Sequence, residues 1–253
     1  MERLNKQTTP PRGDNRVEGP FWDRLVELGG PVNAVIDPSD RRGYKNSYID
    51  MLQKMVLNEV LDIKDGVILD FGCGSGRFFS LTVGLAKYVV GLEISQQMLA
   101  YARQRALLGQ YGLVLFDGSR LPFVENCFDA VLSVGSIQNL TNDAHFEGVI
   151  MQIARCVKKG GKIYLLEQAR NQRGAWQRAA DEYLAVFGRF GCSCIQSYPV
   201  RNGRSVLLYA IRYGLIPGRW ASMLARREIR NTRQRKPAPW VPYQDHLFVF
   251  SKG

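Results

Sequence analysis

The chain has 253 residues, of which 45% are apolar and 23% charged, with a formal net charge of +11. That composition suits a folded domain with a sizeable core and excludes disorder along most of the chain. No stretch reaches the roughly 20 apolar residues of a membrane-crossing helix, and the N-terminus lacks the apolar segment of a secretory signal. Five cysteines and two histidines lack the spacing of a disulfide framework or zinc site. The expectation is a cytoplasmic protein with no structural metal.

Residues 1–19 are polar, with Pro10-Pro11, and read as a flexible tail. Residues 20–65 read as an N-terminal helical cap. It has a short helix at 21–28, a turn-rich loop at 29–46, and a helix at 46–61 carrying Ile49, Leu52, Val56 and Val60 at helical spacing. From 66 to 200 short apolar runs alternate with amphipathic stretches. Strands are expected at Val67–Phe71, Tyr88–Glu93, Gly112–Phe116, Phe128–Val134, Lys162–Glu167 and Ser193–Val200. Helices are expected from Gly76, from the Ser95 cap to Leu108, from Ala144 to Lys158 with Asp143 as cap, and over Trp176–Phe187. Lys159-Gly160-Gly161 should end the third of these. The alternation predicts an α/β fold, a parallel sheet with helices on both faces. Residues 201–244 interrupt it without strand character, and 245–253 hold a last strand around Leu247–Phe250.

The chemistry concentrates at strand ends. Asp70-Phe71-Gly72-Cys73-Gly74-Ser75-Gly76 follows the first strand and opens a helix, where glycines let backbone N–H groups approach a ligand. Glu93 ends the second strand, placed to accept the hydroxyls of a ribose, and Asp117 ends the third, placed to accept an adenine amino group. A dinucleotide-binding turn needs glycine at 77, where this chain has Arg77. An acid just before the glycines repels a pyrophosphate and attracts an amine. The ligand implied has an adenosine and a cationic amine and no phosphate.

These residues resemble the class I S-adenosylmethionine-dependent methyltransferases, small-molecule branch. Val67–Gly76 (VILDFGCGSG) is similar to their first motif, Glu93 to the acid of the second, and Asp117-Gly118 to the third. Leu121–Asp129 (LPFVENCFD) resembles the stretch before their fourth strand, and Val157–Gly161 their L-K-P-G-G turn, with Lys159 in place of proline. The resemblance covers about residues 45–170 and implies a Rossmann-like, seven-stranded, mostly parallel sheet with the last strand antiparallel. It implies S-adenosyl-L-methionine as cofactor, held by Asp70, Gly72, Cys73, Gly74, Gly76, Glu93, Ile94, Asp117, Gly118, Ser119 and Ser133.

Many O-methyltransferases of this branch place a catalytic histidine just after the fourth strand, and here that position is Asn139. Gln138 and Asn139 are expected to orient a polar acceptor. Glu167, at the end of the fifth strand, is the expected general base, with His145 as the alternative. Tyr44 and Tyr48 are expected over the cofactor, with Tyr44 also at the substrate, and aromatic core packing is the alternative. Residues 201–236 hold ten Arg or Lys against one acid, Glu228. We expect this segment to form a substrate lid in which Arg226 and Arg227 meet an anionic group. The expected acceptor is a hydroxyl of a small molecule, lipid-linked product or glycan, with peripheral membrane contact as a further expectation. The other readings are an RNA methyltransferase using the basic segment, and a cofactor-binding protein without activity.

Overall fold

The computed structural model describes residues 19–105, 111–170, 172–174, 177–235 and 241–253. The expected tail at 1–18, the helix beyond Arg105, the helix start at Trp176, and Lys236 lie outside them. The strands are β1 (Val67–Phe71), β2 (Tyr88–Glu93), β3 (Tyr111–Leu115), β4 (Phe128–Val134), β5 (Val157–Ala169), β6 (Cys192–Asn202) and β7 (Gln244–Lys252). They form one sheet in the order β3-β2-β1-β4-β5-β7-β6. β1 to β5 pair in parallel, and β7 inserts antiparallel between β5 and β6. Ile68 and Leu69 point to opposite faces and are both fully buried, because helices cover both sides.

Helices α1 (Gly19–Ile36), α2 (Tyr44–Val60), α3 (Phe79–Thr82), α4 (Gln96–Arg105), α5 (Asp143–Cys156), α6 (Ala180–Arg189), α7 (Val206–Arg212) and α8 (Ala221–Gln234) complete the chain. One core lies under α5 and α6, the other under α2, α7 and α8. Several boundaries differ from the sequence reading. Helix α1 continues to Ile36 through a kink at Gly30, whose φ of 77° only glycine adopts readily, and Pro31 suits the first position of the second stretch. The helix expected from Gly76 starts at Phe79, since Gly76 is itself left-handed at φ 75°. Lys159-Gly160-Gly161 lies inside β5. Helix α5 stops at Cys156, Val157 already pairs with Phe128, and the register then shifts to Ala130–Lys162. The cap of α5 is Asn142, which accepts from His145 N–H at 2.9 Å, one residue before the expected Asp143.

Polar contacts fix the 201–244 segment to the fold, the Arg201 pair buried and the Glu228 contact part-buried. Arg201 makes a two-pronged ion pair with Asp245 at 2.9 and 2.8 Å, and Tyr48 donates to Glu228 at 2.7 Å. Among the described residues no helix is long and apolar enough to cross a membrane.

Candidate functional site

In-register pairing sets Asp70 beside Gly91 and Leu132, so β1, β2 and β4 end at one edge. A cleft with about 1030 Å³ of empty space opens there. Its floor is the turn after β1. Gly72 and Cys73 both donate to Leu92 O, at 2.8 and 3.0 Å, which bends the chain over the end of β2. Gly72 has φ 69°, and a Cβ there would run into Ser136 Oγ. Only glycine satisfies both the backbone angle and the contact with the segment after β4.

Three acids were expected here, and the structure gives them three different environments. Asp70 is 1% exposed, lines the cleft, and has one carboxylate oxygen, Oδ2, with no hydrogen-bond partner. Burial pushes its pKa up to about 7, against the pull of the Arg77 guanidinium. Glu93 also lines the cleft. Its Oε2 accepts from Gly74 N–H at 2.8 Å, and its Oε1 from the N–H groups of Ile94 and Ser95 at 2.9 Å each. Burial raises its pKa while those donors lower it. Asp117 is exposed, two residues past β3, and accepts from Ser119 N–H and Oγ at 2.8 and 2.6 Å. Asp117 and Ser119 stand outside the lining, which takes Phe116 and Gly118 from this loop.

Cys73, Gly74 and Ile94 line the cleft as well, whereas Gly76 lies beyond it, against Phe79. Asn139 lines it with its amide held by Gly135 O at 2.8 Å. His145 lines it too, with Nε2 3.0 Å from Gly118 O, so its ring braces the loop after β3.

Other expected residues also stand away from the cleft lining. Glu167 does not line the cleft. It is 1% exposed and accepts from Ser133 Oγ at 2.9 Å and from the N–H groups of Ser136, Ile137 and Gln138 at 3.2, 3.2 and 3.1 Å. That carboxylate, pushed up to about 7 by burial, anchors the turn after β4. Ser133 and Gln138 belong to the same buried anchor, and Gln138 Oε1 accepts from Gln168 N–H at 2.6 Å. Tyr44 sits at the start of α2, half exposed, against Gly214. Arg226 and Arg227 are exposed on α8, and no described residue of 201–236 lines the cleft. The segment packs on α2 and β6 because the apolar residues of α8, Ala225 and Ile229, face that way.

The covering element is α1, which the sequence reading left without a role. Trp22 lines the cleft. Its neighbour Asp23 accepts from Ser95 Oγ and from Gln97 N–H, at 2.5 and 3.1 Å, so α1 is docked on the N-terminus of α4. Arg77 was also missed as a site residue. Buried, it lines the cleft and donates to Asp50 at 2.6 Å and Gln53 at 3.1 Å, tying α2 to the glycine turn. The available signal was the i, i+3 spacing of Asp50 and Gln53 on one helix face.

The site therefore presents a buried carboxylate oxygen seeking a cationic donor, a second carboxylate at the end of β2, and an apolar slot between Ile94, Met98 and Phe116. The chain is similar to known methyltransferases. The family described as "Methyltransferase domain" matches residues 69–165. A ubiquinone/menaquinone biosynthesis C-methyltransferase, UbiE, of Pseudomonas savastanoi pv. phaseolicola is 35% identical over 160 residues, 62% of this chain and 59% of that protein. An uncharacterized methyltransferase of Geobacillus sp. is 31% identical over 144 residues, 55% of this chain and 66% of that one. The chain thus spans less than two thirds of the length of these curated relatives. Among solved structures, geranyl diphosphate C-methyltransferase of Streptomyces coelicolor, in complex with Mg2+, geranyl diphosphate and S-adenosyl-L-homocysteine, superposes with a TM-score of 0.63 at 15% identity, over 96% of its length and 93% of this chain. The (4+2)-cyclase SpnF superposes with 0.65 at 17% identity, over 98% of its length and 96% of this chain. At these identities the likeness is one of fold, and the cyclase shows that the fold serves more than one reaction.

Proposed function

We propose that the chain acts as a class I S-adenosylmethionine-dependent methyltransferase that methylates a hydroxyl of a small-molecule acceptor. The observation that carries the cofactor half of this reading is the unpartnered Asp70 Oδ2, buried at the cleft wall. A buried carboxylate oxygen without a donor costs free energy unless a ligand completes it, and an ammonium is the donor that gains most there. S-adenosylmethionine, when bound, supplies an activated methyl group on a sulfonium.

The residues of the chain would act as follows. Asp70 holds the amine. Glu93, already oriented by three backbone N–H groups, offers its remaining acceptor capacity to the ribose hydroxyls. Trp22 and Phe78 exclude water from the cleft. Asn139, on the turn anchored by Glu167, is a polar side chain of the lining. It orients the acceptor and takes no proton. With Glu167 behind the turn and His145 held at Gly118, catalysis rests on alignment, and the acceptor must ionise readily by itself.

C-methylation is the second reading. It is favoured by the named activities of the UbiE relative and of the geranyl diphosphate enzyme, and an enolisable or electron-rich ring serves either outcome. Incubation with methyl-labelled S-adenosylmethionine and a panel of phenols, enols and quinols, read by mass gain and carbon NMR, tests both. A methyl signal at an oxygen-bound shift supports the proposal, and a carbon-bound methyl replaces it with the second reading.

A further inference from the structure

We propose that the outer face of the α7–α8 segment docks on an anionic phospholipid bilayer. On α7, Leu208 and Ile211 turn inward, which leaves Val206, Tyr209 and Tyr213 on the outside at i, i+3 and i+7. Val206 is 87% exposed, and Leu215, just beyond, 75%. Trp220 and Met223, at the start of α8, are exposed as well. A single exposed apolar side chain means little, but a row of large ones within one short segment marks a contact surface.

The charge around the row identifies the occupant. Three basic residues of the segment are consumed internally: Arg201 by Asp245, Arg212 by Asp37 and Arg233 by Glu59. The one acid, Glu228, is turned in toward Tyr48. Arg219, Arg226, Arg227 and Arg230 carry no ion pair among the described residues, and Arg226, Arg227 and Arg230 are exposed on α8. Arg219 lies 5.9 Å from the Trp220 ring. Large apolar and amphipathic aromatic side chains set among unpaired arginines suit the headgroup region of an anionic membrane, where apolar groups enter and guanidinium groups meet phosphate. A second copy of the chain is a poor occupant, because a self-complementary pairing would set arginine against arginine in a protein of net charge +11. The segment leaves β6 and rejoins β7 at the sheet edge that carries the cleft. The surface does not depend on which atom is methylated.

The test is co-sedimentation of the full chain with vesicles of phosphatidylcholine alone or with phosphatidylglycerol added. Binding is expected only with the anionic lipid and should weaken as salt is raised. Replacing Arg219, Arg226, Arg227 and Arg230 with Gln should lower it by about two orders of magnitude or more, given roughly a fivefold effect per arginine. Trp220→Ser with Met223→Ser should lower it several-fold at unchanged charge. S-adenosylhomocysteine binding by both variants, which lie outside the cleft, confirms that they are folded. No binding to anionic vesicles, equal binding to neutral ones, or binding to an RNA oligonucleotide in place of vesicles would overturn the proposal.

Discussion

Replacing Asp70 with Asn should stabilise the ligand-free protein while weakening the cofactor. The carboxyl rises from 3.8 to about 7 on folding because burial disfavours its charge. For an acid raised in this way, the folded state binds more protons than the unfolded chain between these values. Stability contributed by the group therefore falls as pH rises from about 4 to about 7 and stays low above. Three units at 1.36 kcal/mol each put the cost of the ionised Asp70 at about 4 kcal/mol above pH 7. Asp70→Asn removes it, so urea unfolding at pH 8 should show a gain of up to about that size, shrinking to nothing near pH 4. Glu167 titrates in the same range and direction, so the difference between variant and parent isolates Asp70. A bound ammonium favours the carboxylate, so affinity for S-adenosylhomocysteine should rise about tenfold from pH 6 to pH 8 in the parent and stay flat in Asp70→Asn. Calorimetry in two buffers of different ionisation enthalpy should show proton release at pH 6. A variant no more stable at pH 8, together with a flat pH dependence in the parent, would refute the reasoning.

Glu93→Ala should weaken S-adenosylhomocysteine binding at least about tenfold, since it removes a charged acceptor and frees the N–H groups of Gly74, Ile94 and Ser95; calorimetry reads it. Glu167→Ala leaves Ser133 Oγ and three N–H groups unpaired, so it should destabilise the fold by about 3 kcal/mol or more in urea unfolding. Asn139→Ala should raise the acceptor's KM severalfold and leave cofactor affinity unchanged in steady-state kinetics and calorimetry. Gly72→Ala meets both a left-handed backbone and Ser136, so it should lower thermal stability and abolish saturable cofactor binding in a thermal-shift titration.

Much of this architecture was readable in the residues. Val67–Phe71, Tyr88–Glu93 and Phe128–Val134 are apolar runs bounded by turn formers, and each became a strand within the same limits. Ser95 was recognised as a cap, and its Oγ does accept from Met98 N–H at 3.0 Å. Asp70 and Glu93 were legible because the ends of parallel strands converge on one edge. What the sequence did not show are contacts made across the fold. Nothing in KIYLLE says that the carboxylate of Glu167 meets the turn 30 residues earlier rather than a substrate. The length of the basic segment suggested a lid, but the inward stripe of Ala225 and Ile229 sends α8 onto α2 and β6. Helix α1 was read as short because Gly29-Gly30-Pro31 signals a break, yet the kink permits a second helical stretch. Trp22 therefore gave no hint that it covers the cleft.

The measurement that bears most directly on the site is a crystal structure of the chain grown with S-adenosylhomocysteine. The account predicts the amine nitrogen about 3 Å from Asp70 Oδ2, with the ribose hydroxyls on Glu93 and the adenine between Ile94 and Phe116. A ligand seated elsewhere, or seated in the cleft with Asp70 Oδ2 still unpartnered, would contradict it.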